Sequence, residues 1–296
     1  MNNTGDLIII ENEHLQVQMH NPINRSEKHF STRYNHCGYI EQIYDKVNNK
    51  ILLGTPTTEW NSFSGNGFPD EFEMPIGYDE AHIGECFLKI GVGQQEKNSL
   101  CLYKNRDKHL IKKLADIKVY QKKNAIEFIA TDSLNGYSYL YKKIIELKND
   151  VISIRHELKN TGNKYFKTLW YSHAFIPHMA SNSCLSLVIP ADYKLLERMS
   201  NTNLRINPIS QDYISYSFIV NDETLNGCCF NWTTDSVENK QTLSNFDNEI
   251  YTSLGNYKLD ELQVFINDKI ISVEPKHFIE LSAGESRKWE TSYLFR

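Results

Sequence analysis

The sequence has no apolar run near the length of a membrane-spanning helix, and no polybasic run suited to anionic lipid. Its opening, MNNTGDLIII, has no basic segment, and the apolar stretch Leu7 to Ile10 is too short for the core of a secretory signal. These absences predict a cytoplasmic protein with no membrane partner. Positive charge is not in surplus: the net charge is -5, with both signs interspersed along the chain. That argues against nucleic acid as a partner, because phosphate binding needs a basic surface. The six cysteines, Cys37, Cys86, Cys101, Cys184, Cys228 and Cys229, include no Cys-x-x-Cys pair. With no framework and no secretory context they read as reduced thiols. Zinc through His36, Cys37 or the Cys228–Cys229 pair is disfavoured, since adjacent cysteines are poor partners in one tetrahedral site. No metal is expected.

Helical periodicity is scarce as well. The LLERM stretch (195–199) predicts one or two turns at most. What the chain does have is alternation. Leu15, Val17 and Met19 alternate with Gln16, Gln18 and His20, the period of a half-buried strand. Similar runs follow at 125–130, 137–147, 151–158 and 167–175, then at 213–220, 228–232, 261–267, 270–274 and 291–295. Turn residues separate them, among them Asn135-Gly136, Asn160-Thr161-Gly162, Asn226-Gly227 and Asn267-Asp268. The 17 tyrosines and 14 phenylalanines suit such pleated surfaces. No repeat or linker interrupts the pattern. The expectation is one all-β domain over residues 1–296, a large antiparallel β-sandwich or barrel with a sizeable core.

One segment breaks the alternation. Between about 54 and 98, glycine, proline and acidic residues cluster in GNGFPDEFEMPIGYDEAHIGECFLKIGVG. A long irregular stretch inside a compact β domain usually belongs to a binding site.

Two residues are candidates for chemistry. His173, in KTLWYSHAFIPH, shares a strand face with Leu169, Tyr171 and Phe175. Glu274 ends an apolar run and is followed by Pro275, so its backbone is restrained and its carboxylate aimed. A histidine and a carboxylate facing one pocket can act as acid and base on the same substrate. The competing reading is a satisfied core histidine, which is the reading for His156 in VISIRHEL.

Three stretches resemble the aldose 1-epimerases, the galactose mutarotase-like proteins. NTGNKYFKTLWYSHAF is similar to that family's turn and strand bearing its catalytic histidine. VEPKHFIELSAGESRKWETSYLF is similar to its closing glutamate, proline and final aromatic strand. STRYNHCGYIEQIYD resembles the early strand pair that supplies a sugar-binding arginine, here Arg33. GYDEAHIGECFLKIGVG is similar to a block in a divergent branch of these proteins.

The resemblance implies a galactose mutarotase-like supersandwich with an open sugar cleft. It implies interconversion of the α and β anomers of a monosaccharide or short sugar, without cofactor. Glu274 would be the base at the anomeric hydroxyl and His173 the acid at the ring oxygen. The family's His-Gly-Gly stretch is absent. In its place stand Asp79, Glu80, His82, Glu85 and Lys89, of which Asp79, Glu80 and Lys89 are expected to bind substrate with Arg33. The competing readings are an ion pair between Lys89 and Asp79, Glu80 or Glu85, and a solvated strand-edge charge for Arg33. Trp60, Trp170, Trp232 and Tyr171 could stack on a sugar face. A phosphorylated sugar is disfavoured by the acidity of Asp70, Glu71, Glu73, Asp79, Glu80 and Glu85. A noncatalytic carbohydrate-binding protein is the alternative from another class.

Overall fold

The computed structural model describes the chain apart from residues 1–4, 25–30, 58–63, 179–183, 199–203, 220–227, 235, 237 and 246–247. Among the described residues there is no helix, and every strand pairing is antiparallel. Sequence alternation becomes burial alternation: along Tyr137–Lys148 and Ala125–Leu134, buried residues follow half-buried ones almost without fault. The local reason is that successive side chains of a strand point to opposite faces.

Ten strands form the larger sheet. Its order from one edge is Leu204–Pro208, Tyr213–Ile219, Cys184–Pro190, Asn239–Asn245 and Asn248–Gly255. It continues through Ser286–Phe295, Val151–Asn160, Tyr137–Lys148, Ala125–Leu134 and Asp116–Gln121. The second sheet runs Lys194–Arg198, Cys228–Thr233, Glu261–Ile266, Ile270–Leu281, Phe166–Ser172 and Asp70–Phe72, with Ile176–Pro177 paired to Ile270–Leu281. Smaller sheets of four and three strands complete the molecule.

The core lies between the two large sheets. Trp170 meets Trp289 at 5.3 Å between ring centroids, Phe72 meets Tyr141 at 5.0 Å, and Tyr216 meets Trp232 at 5.1 Å. Rings of this size contribute about 1.5–3 kcal/mol each when fully buried. His156 is part of this layer, stacked on Trp289 with its Nδ1 2.8 Å from Tyr141 Oη, as expected of a core histidine. Burial pushes its pKa down to about 3, so it is neutral.

Two local expectations give way to pairing. The described part of the LLERM stretch is not helical: Lys194–Arg198 is a strand paired with Cys228–Thr233 across a bulge, and Met199 lies outside the described residues. Tertiary pairing overrides a weak helical preference. The run ending at Glu274 does not stop at Pro275 either, and the strand continues to Leu281. Its pairing with Phe166–Ser172 ends at Lys276, one residue past Pro275, so the missing N–H falls where that ladder has already closed.

Beyond that point the backbone of His173 and Phe175 turns to another partner. Their N–H groups donate to Pro69 O and Gly67 O, both at 2.8 Å. Gly67 has φ of +66°, and a Cβ there would stand 2.4 Å from the carbonyl oxygens of Ile40 and Glu41. Only glycine fits both the left-handed backbone and the close approach. Gly67→Ala is therefore expected to destabilise the fold by roughly 1–3 kcal/mol, read as a lowered midpoint in thermal unfolding.

Candidate active site

On the second sheet, Leu262, Val264 and Ile266 point into the core, whereas Gln263 and Phe265 point the other way. That outward face floors a cleft of about 690 Å³. Its walls include Arg33, Glu73, Arg106, Tyr171, His173, Phe175, Gln263 and Glu274.

Strand register sets the side chains of this face in rows. Asn231 pairs with Gln263, and Gln263 with Glu274. His173, one residue past the end of Phe166–Ser172, continues that row. Its Nε2 lies 3.2 Å from Glu274 Oε1. The row above holds Cys229, Phe265 and Ser272. The row below holds Thr233, Glu261, Lys276, Tyr171 and Glu71.

His173 is fixed from several sides. Ser272 Oγ contacts its Nδ1 at 2.8 Å, leaving Nε2 toward Glu274. Phe175 stacks on the ring at 4.2 Å, and Tyr34 meets it edge-on at 6.0 Å. Glu274 Oε1 has no hydrogen-bond partner, so the 3.2 Å approach is proximity without an aligned bond. Both side chains are almost wholly buried, and burial disfavours whichever form is charged. It raises the Glu274 carboxyl to about 8, against the opposing fields of Lys276 and Arg33. It holds the His173 imidazole well below its ordinary value, helped by the positive charges of Arg33 and Arg106.

Arg33 is not a solvated edge charge. It sits on the loop before Ile40–Asp45, where Ser31 Oγ accepts from the N–H groups of Arg33 and Tyr34 and bends the chain. Its Nε donates to Glu71 Oε2 at 2.7 Å and its Nη2 to Tyr171 Oη at 2.9 Å. The guanidinium also lies over the Tyr34 ring, 4.5 Å from its centroid. Lys89 Nζ reaches the other oxygen of the same carboxylate, Glu71 Oε1, at 3.1 Å, and lies over the Tyr103 ring. Burial raises the Glu71 carboxyl, but Arg33 and Lys89 outweigh that and hold it low. One carboxylate thus ties two buried cations together.

Three residues expected to bind substrate stand outside the cleft wall. Lys89 is wholly buried and does not line the cleft, and its partner is Glu71 rather than Asp79, Glu80 or Glu85. The Cys86–Lys89 strand turns it inward, away from the loop that precedes it. Asp79 and Glu80 are exposed and also absent from the cleft wall. Glu80 pairs instead with Lys164 at 2.7 Å and accepts from Tyr137 Oη. Of the six acidic residues of the segment, only Glu73 lines the cleft. Asp70 points the opposite way from Glu71, into the core, where Lys143, Asn35, Tyr141 and Trp170 satisfy it.

Trp170 and Trp232 belong to the core, Tyr171 to the cleft, and Trp60 falls outside the described residues. Gln263, Asn231 and Phe265 are cleft residues that sequence reasoning did not single out, and Glu71 was noted there only for its acidity. Among the described residues no group of three or more His, Cys, Asp or Glu is placed to hold a metal ion. Among the described residues no helix is long and apolar enough to cross a membrane.

The chain is similar in structure to a galactose mutarotase related enzyme from Lactobacillus acidophilus, with a TM-score of 0.63 and 13% identity over 98% of this chain and 97% of that one. It is similar to a galactose mutarotase-like protein from Lactobacillus casei ATCC 334, with a TM-score of 0.61 and 13% identity over 98% and 100%. A galactose mutarotase-like protein from Clostridium acetobutylicum gives 0.55 and 11% over 98% and 99%. No family model matches the sequence, and no curated protein does. At these identities the likeness establishes the fold, an all-β galactose mutarotase-like sandwich, along nearly the whole chain.

The position of Lys89 sets its expected phenotype. Lys89→Met strips one cation from a buried carboxylate, a loss of about 3 kcal/mol when a buried pair is broken from one side. Thermal unfolding should show that loss directly; a variant as stable as the parent would contradict the Glu71 assignment.

Proposed function

We propose that this protein is an aldose 1-epimerase-like enzyme that interconverts the α and β anomers of a sugar, using His173 and Glu274 as its acid–base pair. The observation that carries the reading is the 3.2 Å approach of His173 Nε2 to Glu274 Oε1 on the floor of the cleft, in a sandwich of galactose mutarotase-like fold.

Ring opening removes the proton of the anomeric hydroxyl and delivers one to the ring oxygen. Rotation about the bond between the first two carbons then presents the other carbonyl face. Closure returns both protons, so each group acts once as base and once as acid. The pair needs one proton in total. The sequence reading places it on His173, with Glu274 as the base. The burial of both groups favours the other arrangement: a neutral imidazole beside a carboxylic acid. In that state His173 accepts the anomeric proton and Glu274 supplies the ring oxygen. The two arrangements differ by one proton, and a coupled pair titrates as a unit. Positioned proton transfer contributes on the order of 10²–10⁴-fold, sufficient for a reaction that proceeds unaided in water.

In this reading Arg33 holds the sugar. Glu71 and Tyr171 occupy its Nε and Nη2, which fixes the plane of the guanidinium and leaves Nη1 for a hydroxyl. A noncatalytic binder would require neither of two buried titratable groups to face each other in the cleft.

Polarimetry on freshly dissolved single anomers tests the activity. Glu274→Gln and His173→Asn should each nearly abolish the acceleration while sugar still binds. The double variant should lose little more, because the two act in one exchange. Full activity in folded Glu274→Gln would reject the assignment.

A second measurement is independent of turnover. The folded pKa of Glu274, about 8, stands above its ordinary 4.5, so the native state binds the proton more tightly than the unfolded chain. Its contribution to stability is present below pH about 4.5 and is lost as pH rises toward about 8. Across that window the melting temperature of the wild type should fall relative to Glu274→Gln, which has no such proton to lose.

A further inference from the structure

We propose that Ser272 is the positioning residue of the acid–base pair: its hydroxyl accepts the Nδ1–H of His173 and turns its own proton toward Glu274, which keeps the Nε2 lone pair of the imidazole free for the sugar. The proposal rests on the acid–base reading above and assigns the group that sets its tautomer.

Register brings the three groups together. Ser272 and Glu274 stand two residues apart on Ile270–Leu281, so both side chains leave the same face of the strand. On one side they are paired with Phe265 and Gln263. On the other the ladder is open between Lys276 and Ile271, and His173 occupies that interval. Its Nδ1 lies 2.8 Å from Ser272 Oγ, and its Nε2 lies 3.2 Å from Glu274 Oε1. Ser272 is wholly buried, so its hydroxyl depends on these partners for its hydrogen bonds.

Proton counting decides which way that hydroxyl points. The pair works with one proton, and the sugar must meet one donor and one acceptor. With the proton on His173, both ring nitrogens carry hydrogen. With the proton on Glu274, the neutral ring keeps a single N–H, which must be at Nδ1. An Nε2–H beside a carboxylic acid would offer the sugar two donors and no base. Nδ1 is therefore protonated in both working arrangements, and Ser272 Oγ is its acceptor. The other tautomer is also poorly served, because Glu274 Oε1 makes no aligned hydrogen bond with Nε2. The backbone of His173 itself offers the ring a further acceptor, and the ring nitrogen nearer the main chain is Nδ1.

Having accepted from Nδ1, the hydroxyl requires an acceptor for its own proton, and Glu274 is that acceptor. Burial raises the Glu274 carboxyl; Lys276, Arg33 and the Ser272 hydroxyl oppose the rise by favouring the carboxylate. Serine is the smallest side chain that both donates and accepts. Between Ile271 and Val273, an unsatisfied hydroxyl would be costly to bury.

Nitrogen-15 NMR reads the tautomer directly. Among the ten histidines, His173 is the ring whose signals vanish in His173→Asn. In the wild type at neutral pH it should carry its proton on Nδ1, and in Ser272→Ala that proton should pass in part to Nε2. A wild-type ring protonated at Nε2, or a tautomer unchanged in folded Ser272→Ala, would overturn the proposal.

Kinetics give a second readout. Ser272→Ala should lower kcat about tenfold, the effect of one hydrogen bond, with KM unchanged. It should also move the alkaline limb of the pH–rate profile upward, because the carboxyl loses a donor that favours its charged form. The other groups facing the pair, Arg33, Arg106, Lys276, Glu73, Tyr34 and Tyr171, are common to both proteins, so the shift belongs to Ser272. A lower rate with an unmoved profile is what a loosened strand would give, and it would refute the assignment. Nδ1 protonation that depends on Ser272 supports the proposal even if no sugar is turned over. An active enzyme with its proton on Nε2 refutes it without touching the activity of His173 and Glu274.

Discussion

Everything at the cleft depends on how the Ile270–Leu281 strand pairs on its two sides. Against Glu261–Ile266 the ladder is continuous from Lys276 to Ile271. Against Phe166–Ser172 it stops at Lys276, and Ile176–Pro177 resumes the pairing at Ile271. In the interval, His173 and Phe175 lend their backbone donors to the Gly67–Pro69 segment. The chain therefore departs from the ladder just where Glu274 stands opposite. Proline at 275 costs nothing there, because no partner awaits its N–H on that side. A gap in one ladder and continuity in the other hold the two side chains face to face.

A second layer of order comes from charge. Glu71 is wholly buried between Arg33 and Lys89. Alone, none of the three would tolerate that environment, since isolated buried charges are expensive. Together they set the plane of Arg33 and link it to Tyr171, the neighbour of His173 on the cleft face. Lys89 carries the linkage to Tyr103, on the segment that brings Asn105 and Arg106 to the rim. Lys89, expected from the sequence to bind substrate, is a buried strut that shares Glu71 with Arg33.

The strands were legible in the sequence because most are half-buried, and alternation records that directly. His173 was legible for the same reason: it keeps step with Tyr171 and Phe175. The roles of Asp70 and Glu71 were not, although both were visible as acidic residues. Adjacent positions of a short strand point to opposite faces, and which face meets Lys143 and which meets Lys89 depends on partners far along the chain. Asn231, Gln263 and Phe265 were hidden for a related reason. A row across four strands is a property of register, and register is set by pairings that no local window contains. The acidity of residues 70–85 misled for this cause: proximity in sequence gathered six carboxyls that the fold disperses, leaving Glu73 alone in the cleft.

The same row has a consequence for how the molecule assembles. Arg33 and Glu274 come from near opposite ends of the chain, and the strands between them meet largely through distant pairings. Contacts of long sequence separation form late, after their loop-closure entropy has been met. The cleft therefore has no precursor in the denatured ensemble: no fragment that folds early presents His173, Glu274 and Asn231 together. A ligand that binds there has affinity for the finished fold alone, and it stabilises the native state by RT ln(1 + L/Kd), growing with its free concentration L.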